Sequence, residues 1–201
     1  YYTLMLKPDF TADCAPMLTL VMALAVAKGI RQTLGRDSRE AAAKVGIKWP
    51  NDIVVDGKKV CGILTEMSME QGYIHHIVIG VGINVRRQEF SEEIRERAAA
   101  IDEQCGFCIS RSQLIADIME AFEEDYEIFL QTLDLKGLRD SYAKLLLNQD
   151  REVCVLDPKG EYRGIARGIN DQGELIVERQ DGTVEEVYAG EVSVRGIYGY
   201  V

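Results

Sequence analysis

The sequence predicts an α+β fold, in which a mixed, largely antiparallel sheet packs against helices and a small β-barrel follows towards the C-terminus. Three observations carry that expectation. Asp56-Gly57 and Gln71-Gly72 punctuate β-branched runs, which makes an antiparallel meander. Residues 17–34 and 110–133 repeat apolar side chains at helical spacing. Beyond Asn148 the pattern changes to short strands separated by turn chemistry. We therefore divide the chain into residues 1–147 and 148–201.

Taken in order, Tyr1-Tyr2-Thr3-Leu4-Met5-Leu6 reads as a strand with no leader-like segment ahead of it, and with no initiator Met we expect further sequence upstream. Asp13 is an N-cap candidate, with Pro16 in the first turn of a helix that Gly35 stops. That helix should bury Met17, Leu20, Val21, Leu24, Ile30 and Leu34. Its unbroken apolar run is about half of the roughly 20 residues a membrane span requires, so it reads as a core helix. Residues 36–44 suit a short charged helix, and residues 45–49 a strand that Pro50 must end. Residues 53–55 and 59–66 flank the Asp56-Gly57 hairpin, and a further strand covers residues 74–85.

From Ser91 the chain turns helical, first in a charged piece to about Ala100, then from the N-cap Ser110 onward. The second helix places Leu114, Ile118, Met119, Phe122, Tyr126 and Phe129 on one stripe, and Glu120, Glu123, Glu124 and Asp125 on the solvent side. A further helix over 138–147 precedes strands at 152–156, 162–169, 175–178, 184–188 and 192–194. Five short strands in about 54 residues suggest a small barrel.

Composition excludes several functions. The net charge is −10 and the basic residues are scattered, which argues against nucleic-acid or anionic-membrane binding. Five cysteines in apolar contexts fit reduced thiols and a cytoplasmic setting rather than a disulfide framework. Cys105-Gly106-Phe107-Cys108 reads as a loop before the Ser110 helix, because no second CxxC accompanies it. His75 and His76 are adjacent on a strand, so their side chains should face opposite ways. No metal ligand set is identified.

Two segments look like a site. In the strand around Ile77-Val78-Ile79-Gly80-Val81-Gly82-Ile83-Asn84-Val85, alternation puts Ile79, Val81, Ile83 and Val85 on a core face and Val78, Gly80, Gly82 and Asn84 on the other. Paired glycines weaken a strand, so their face suggests close approach by a ligand or another backbone. Lys48, at a strand end before Pro50, offers an ammonium suited to a phosphate or carboxylate oxygen. Asn51 and Asp52 could support a nucleotide or magnesium, or could simply form the turn.

Lys48-Trp49-Pro50-Asn51-Asp52, Val60-Cys61-Gly62-Ile63-Leu64-Thr65-Glu66 and Ile79-Gly80-Val81-Gly82-Ile83-Asn84-Val85 closely resemble the biotin–protein ligase family in residues, order and spacing. The likeness extends through the opening strand and first helix to a C-terminal domain that looks like the family's SH3-like barrel. It implies a class II synthetase-like catalytic domain in which biotin and ATP, with Mg2+, give biotinoyl-5′-AMP, followed by transfer to a lysine of a biotin carboxyl carrier protein. It implies Lys48 as the catalytic lysine, Gly80, Gly82, Ile83 and Asn84 as biotin and adenylate contacts, and Glu191 and Arg195 as contributions from the terminal strand. A homodimer through a sheet edge stays open. The family's glycine- and arginine-rich adenylate loop, part of its biotin pocket and the helix-turn-helix domain of some members lie N-terminal to the matched strand, so this polypeptide alone is expected to be poorly active. The competing readings are a lipoate–protein ligase-like acyl transferase, which the Trp-Pro-Asn-Asp segment and C-terminal barrel disfavour, and a non-enzymatic biotin-sensing regulator.

Overall fold

The computed structural model describes residues 1–157, 160–188 and 193–196, the last stretch by its backbone alone. Two antiparallel sheets organise them. The first has strand order β1-β5-β4-β3-β2, built from β1 (Tyr2–Leu6), β2 (Val45–Lys48), β3 (Asp52–Val55), β4 (Lys58–Glu70) and β5 (Tyr73–Ile83). Asp56 and Gly57, at φ 50° and 79°, turn β3 into β4, and Gln71 and Gly72, at 51° and 86°, turn β4 into β5. Positive φ at both central positions is the hairpin geometry that matches strand twist.

Helix α1 (Met17–Gly35) lies in the core, with fourteen of its residues buried. By length and hydropathy residues 12–35 pass as a membrane span, but 78% of the tested window is buried inside the fold. Asp13 does not cap it. Residues Ala12–Cys14 form a 3₁₀ turn instead, and α1 starts after Pro16 without a side-chain cap. Ser38 does cap α2 (Arg39–Ala43), accepting from the Ala41 N–H at 3.1 Å.

Helix α4 (Arg111–Thr132) packs along α1, capped by Ser110, which accepts from the Gln113 N–H. Gly29 lets the two helices approach. A Cβ there would lie 2.5 Å from Ile118 Cγ1 and 2.7 Å from the Ile118 backbone. Asp125 departs from the expected solvent face: it is fully buried, and Lys28 Nζ of α1 donates to it at 2.5 Å. Asp117, also buried, accepts from Thr33 at 2.6 Å, from Gln113 at 2.9 Å and from the Arg36 guanidinium. Each carboxylate is buried because α1 brings a donor to it.

Residues 91–100 form turns rather than the expected helix. Their backbone is claimed by the edge of β4: Lys59 N–H donates to Arg97 O, and Ala99 N–H donates to Lys59 O. Cys105 ends a short helix, α3 (Ile101–Cys105), instead of opening a loop, with Gly106 at φ 80° as its stop. Helix α5 (Arg139–Ala143) is shorter than the expected 138–147 segment, because Leu145 and Leu147 bond to the backbone of Ile47.

His75 and His76 also depart from expectation. Their rings touch, with Nδ1 atoms 2.9 Å apart. The β4–β5 register steps from Ser68–His76 to Met69–Ile74, so His75 is an inserted bulge residue and strict alternation fails there.

The second sheet has order β10-β6-β7-β8-β9, from β6 (Glu152–Leu156), β7 (Tyr162–Ile169), β8 (Leu175–Arg179), β9 (Val184–Val187) and β10 (Ser193–Gly196). Trp49 joins the two sheets. It is buried, its indole N–H donates to Gly173 O at 2.9 Å, and its backbone N–H donates to Asn148 Oδ1 at 2.9 Å.

Candidate active site

The first sheet's register assembles residues that stand far apart in the sequence. Lys48 opposes Asp52, Asp52 opposes Gly62, and Gly62 opposes Gly82. Directly opposed residues point to the same side of a sheet, so these four form one row across four strands. The next row is Leu64, Gly80 and Thr3. Ile77, Ile79 and Val81, between them on β5, are buried on the opposite, helix-covered side.

This face is therefore floored by three glycines and bounded by charge at one end. A Cβ on Gly80 would meet only the Leu64 carbonyl oxygen, at 3.7 Å. A Cβ on Gly82 would meet the Tyr1 ring at 2.9 Å, and one on Gly62 the Lys59 Nζ at 3.1 Å. Leu64 and Met5, on the same face, are large apolar side chains left about 60% exposed, at 63% and 60%. The face thus runs from an apolar end to a charged one, a polarity that suits an apolar acid joined to a phosphate.

Lys48 ends β2 and is 8% exposed. A fixed, partly desolvated ammonium acts on oxyanions more strongly than one in water. Asn51 holds its loop to β4 in both directions: its side-chain amide donates to Ile63 O at 2.8 Å, and its backbone carbonyl accepts from Ile63 N–H at 3.1 Å. Asp52 pairs with Lys59. Asn84 follows β5, where its side-chain oxygen accepts from Gln88 at 3.0 Å. A cavity of about 790 Å³ is lined by Lys59, Gly62, Gly82, Asn84 and Arg97.

The register thus gathers Lys48, Asp52 and Gly82, with Gly80 one row away and Asn84 beyond the strand end. Ile83 is not gathered. It faces a second cavity of about 500 Å³ on the other side, with Tyr2, Val85, Arg87 and Leu114. Glu191 lies outside the described residues, and the backbone of Arg195 stands opposite Cys154 of β6. The sequence reading missed Lys59, whose place depends on a bulge in β4, and Gly62, whose Gly62-Ile63-Leu64 context carries no sign that it floors the face. Cys61 is beside Gly62 but on the core side, and burial pushes its thiol pKa up. Among the described residues no group of three or more His, Cys, Asp or Glu side chains could hold a metal.

Comparison with known proteins finds two family models on the chain. Residues 1–84 match the biotin/lipoate A/B protein ligase family and residues 150–195 match the biotin protein ligase C-terminal domain. The bifunctional ligase/repressor BirA of Bacillus subtilis is 34% identical over 198 residues, which cover 96% of this chain and 58% of that protein. The biotin–[acetyl-CoA-carboxylase] ligase of Paracoccus denitrificans is 27% identical, over 94% of this chain and 79% of that protein. The structure of Aquifex aeolicus biotin protein ligase in complex with biotin and ATP superposes with a TM-score of 0.78 at 26% identity, over 96% of this chain and 77% of that one. The chain thus spans little more than half the length of the BirA relatives, at 58%.

Proposed function

We propose, for a chain that belongs to the biotin–protein ligase family by its matches at both ends, that it carries the adenylate-forming site of a biotin–protein ligase. The observation that carries the reading is the row Lys48–Asp52–Gly62–Gly82, which sets a buried ammonium at the end of a glycine floor. In the first step a carboxylate oxygen of biotin attacks the α-phosphorus of ATP and pyrophosphate leaves. In the second, an unprotonated lysine amine of a carrier domain attacks the acyl carbon and AMP leaves. Negative charge grows on phosphoryl oxygens in the first step and on the acyl oxygen in the second. An ammonium fixed beside both positions stabilises the transition states more than the reactants. Lys48 has that role, Gly80 and Gly82 let the ligand lie against the strand, and Asn84 faces the nucleotide. Magnesium arrives with ATP as part of the substrate, and Asn51 and Asp52 support the loop that meets it. Ile83 acts through the opposite face, as packing behind the strand. Glu191 and Arg195 contribute from the second domain.

Residues 1–147 form the catalytic unit and residues 148–201 the SH3-like one. The matched C-terminal domain model supports biotin over lipoate. The acceptor on this reading is a lysine of a carrier domain, and cysteines that are all free suit a cytoplasmic setting.

The test is biotin-dependent exchange of labelled pyrophosphate into ATP by the natural protein and its Lys48→Ala variant. Loss of one such donor costs roughly 10²- to 10³-fold in rate. Exchange at the parent rate in the variant would remove Lys48 from the mechanism, and absence of exchange in the parent would remove the ligase reading.

A further inference from the structure

Lys48 stands where β2 passes into the turn of residues 49–51, and the residue on each side of it is held from outside the strand. Leu146 lies parallel to Ile47 on the edge of β2 that faces away from β3. The Ile47 N–H donates to Leu145 O at 2.7 Å, and the Leu147 N–H donates to Ile47 O at 2.8 Å. Successive residues of a strand offer their backbone groups to opposite edges. Lys48 accordingly pairs inward with Asp52, and Trp49 turns outward again. There the parallel ladder changes character: the Trp49 N–H donates at 2.9 Å to the side-chain oxygen of Asn148, not to a backbone carbonyl.

Asn148 is a costly residue for that place. It is fully buried, and its Nδ2 has no hydrogen-bond partner among the described residues. A buried donor without a partner carries a desolvation penalty that an apolar side chain of similar size would avoid. The fold thus keeps the acceptor for Trp49 and tolerates the orphan donor beside it. The same turn is gripped twice more, by Gly173 O, which accepts from the Trp49 indole N–H at 2.9 Å, and by the Tyr142 hydroxyl, which donates to Pro50 O at 3.4 Å. None of the three partners belongs to the first sheet: Tyr142 is in α5, Asn148 lies between the sheets, and Gly173 precedes β8.

Building on the ligase reading, we propose that Asn148 is a positioning residue for Lys48, which fixes, through the Trp49 N–H, the strand end from which that ammonium reaches the reacting oxygens. Being fully buried, Asn148 meets no ligand itself and acts only through Trp49. β2 is a strand of four residues, Val45–Lys48, so a shift of the Trp49 backbone passes directly to Lys48. The passage between the two sheets thereby sets the geometry of the site in the first.

The test is single-turnover formation of biotinoyl-5′-AMP from labelled biotin and Mg·ATP by the natural protein and its Asn148→Ala variant, each with Lys48 in place and with Lys48→Ala. Enzyme in excess keeps the slow Lys48→Ala reaction measurable. A misplacement of about 1 Å can cost roughly 10²-fold in rate. With Lys48 in place, Asn148→Ala should therefore lower the rate constant roughly 10- to 100-fold at saturating substrates. The Kd for biotin, measured by calorimetry, should change less than about threefold, because the ammonium acts mainly on charge that grows in the transition state. In the Lys48→Ala background the same substitution should lower the rate less than about twofold, since no ammonium is left to misplace. An equal fall in both backgrounds overturns the assignment, because that pattern belongs to general loosening of the fold. A rate within about twofold of the parent in Asn148→Ala overturns it too, and leaves the ligase reading standing. If Asn148→Ala does not fold, Asn148→Ser, whose hydroxyl ends one bond short of the Trp49 N–H, replaces it with the same pattern expected. A natural protein that forms no biotinoyl-5′-AMP overturns both readings.

Discussion

A methyl group placed on the glycine floor separates what the fold needs from what a ligand needs. At Gly80 an added Cβ would meet nothing nearer than the Leu64 carbonyl oxygen, at 3.7 Å, an ordinary van der Waals contact. Glycine inside a strand costs about 0.5–1 kcal/mol relative to alanine, so Gly80→Ala should stabilise the protein by about that amount. For a chain of this size the rise in Tm is about 1–4 °C. At Gly82 the new Cβ would lie 2.9 and 3.1 Å from the Tyr1 ring, but Tyr1 is fully exposed and can swing aside. The fold should therefore accept Gly82→Ala as well. A ligand lying along the same floor has no such freedom. Overpacking costs about 1–3 kcal/mol, which makes biotin and ATP bind roughly 10- to 100-fold more weakly to either variant. Thermal unfolding and calorimetric titration of the same samples measure the two effects. A Kd unchanged in Gly80→Ala refutes the ligand face. A Tm lowered by several degrees refutes it differently, because the bare surface would then belong to the protein's own packing.

Three further outcomes follow from the same geometry. Trp49→Phe removes the donor to the buried Gly173 carbonyl and should cost about 1–3 kcal/mol in urea unfolding, with no loss expected if that bond is irrelevant to joining the sheets. Arg36, with Thr33 and Gln113, holds the Asp117 carboxyl at about 2, below the usual carboxylate range. Such a group contributes stability above its unfolded pKa of about 4 and loses it as pH falls through the folded value. Asp117→Asn should thus be about 2 kcal/mol less stable than the parent at neutral pH, with the gap closing between about pH 4 and pH 2. A gap that stays constant over that range would exclude the ion pair as its source. Gly29→Ala drives a Cβ to 2.7 Å from the Ile118 backbone, which cannot yield as a side-chain tip can. Separation of α1 from α4 should cost about 1–3 kcal/mol, and a parental Tm would show that the helices have slack.

Local chemistry made much of this protein legible. Asp56-Gly57 and Gln71-Gly72 take the positive φ values that their residue types favour, and Ser110 caps its helix as its position suggests. Alternation along residues 77–82 gives the correct buried side, because one face of the sheet is covered by helices and register is then strongly specified. Lys48, Gly80 and Gly82 were visible as separate signals for the same reason. Features that depend on a partner distant in sequence were not. Asp125 looks like one more acid in a solvated run, and only Lys28, on another helix, makes its burial tolerable. Residues 91–100 look helical in isolation, but β4 offers their backbone other partners.

The sequence by itself determined the strands, the turns between them, both long helices and the change of character beyond Asn148, and it singled out the lysine and glycines of the candidate site. Only the tertiary structure decided that Lys48, Asp52, Gly62 and Gly82 form one row, that Lys59 joins their face, and that Trp49 ties the sheets together. The physical reason lies in pairing. Turn and strand preferences are properties of a few adjacent residues, whereas register and bulges are set between strands. An inserted Val60 leaves no mark in composition, yet it reverses the side on which a lysine stands.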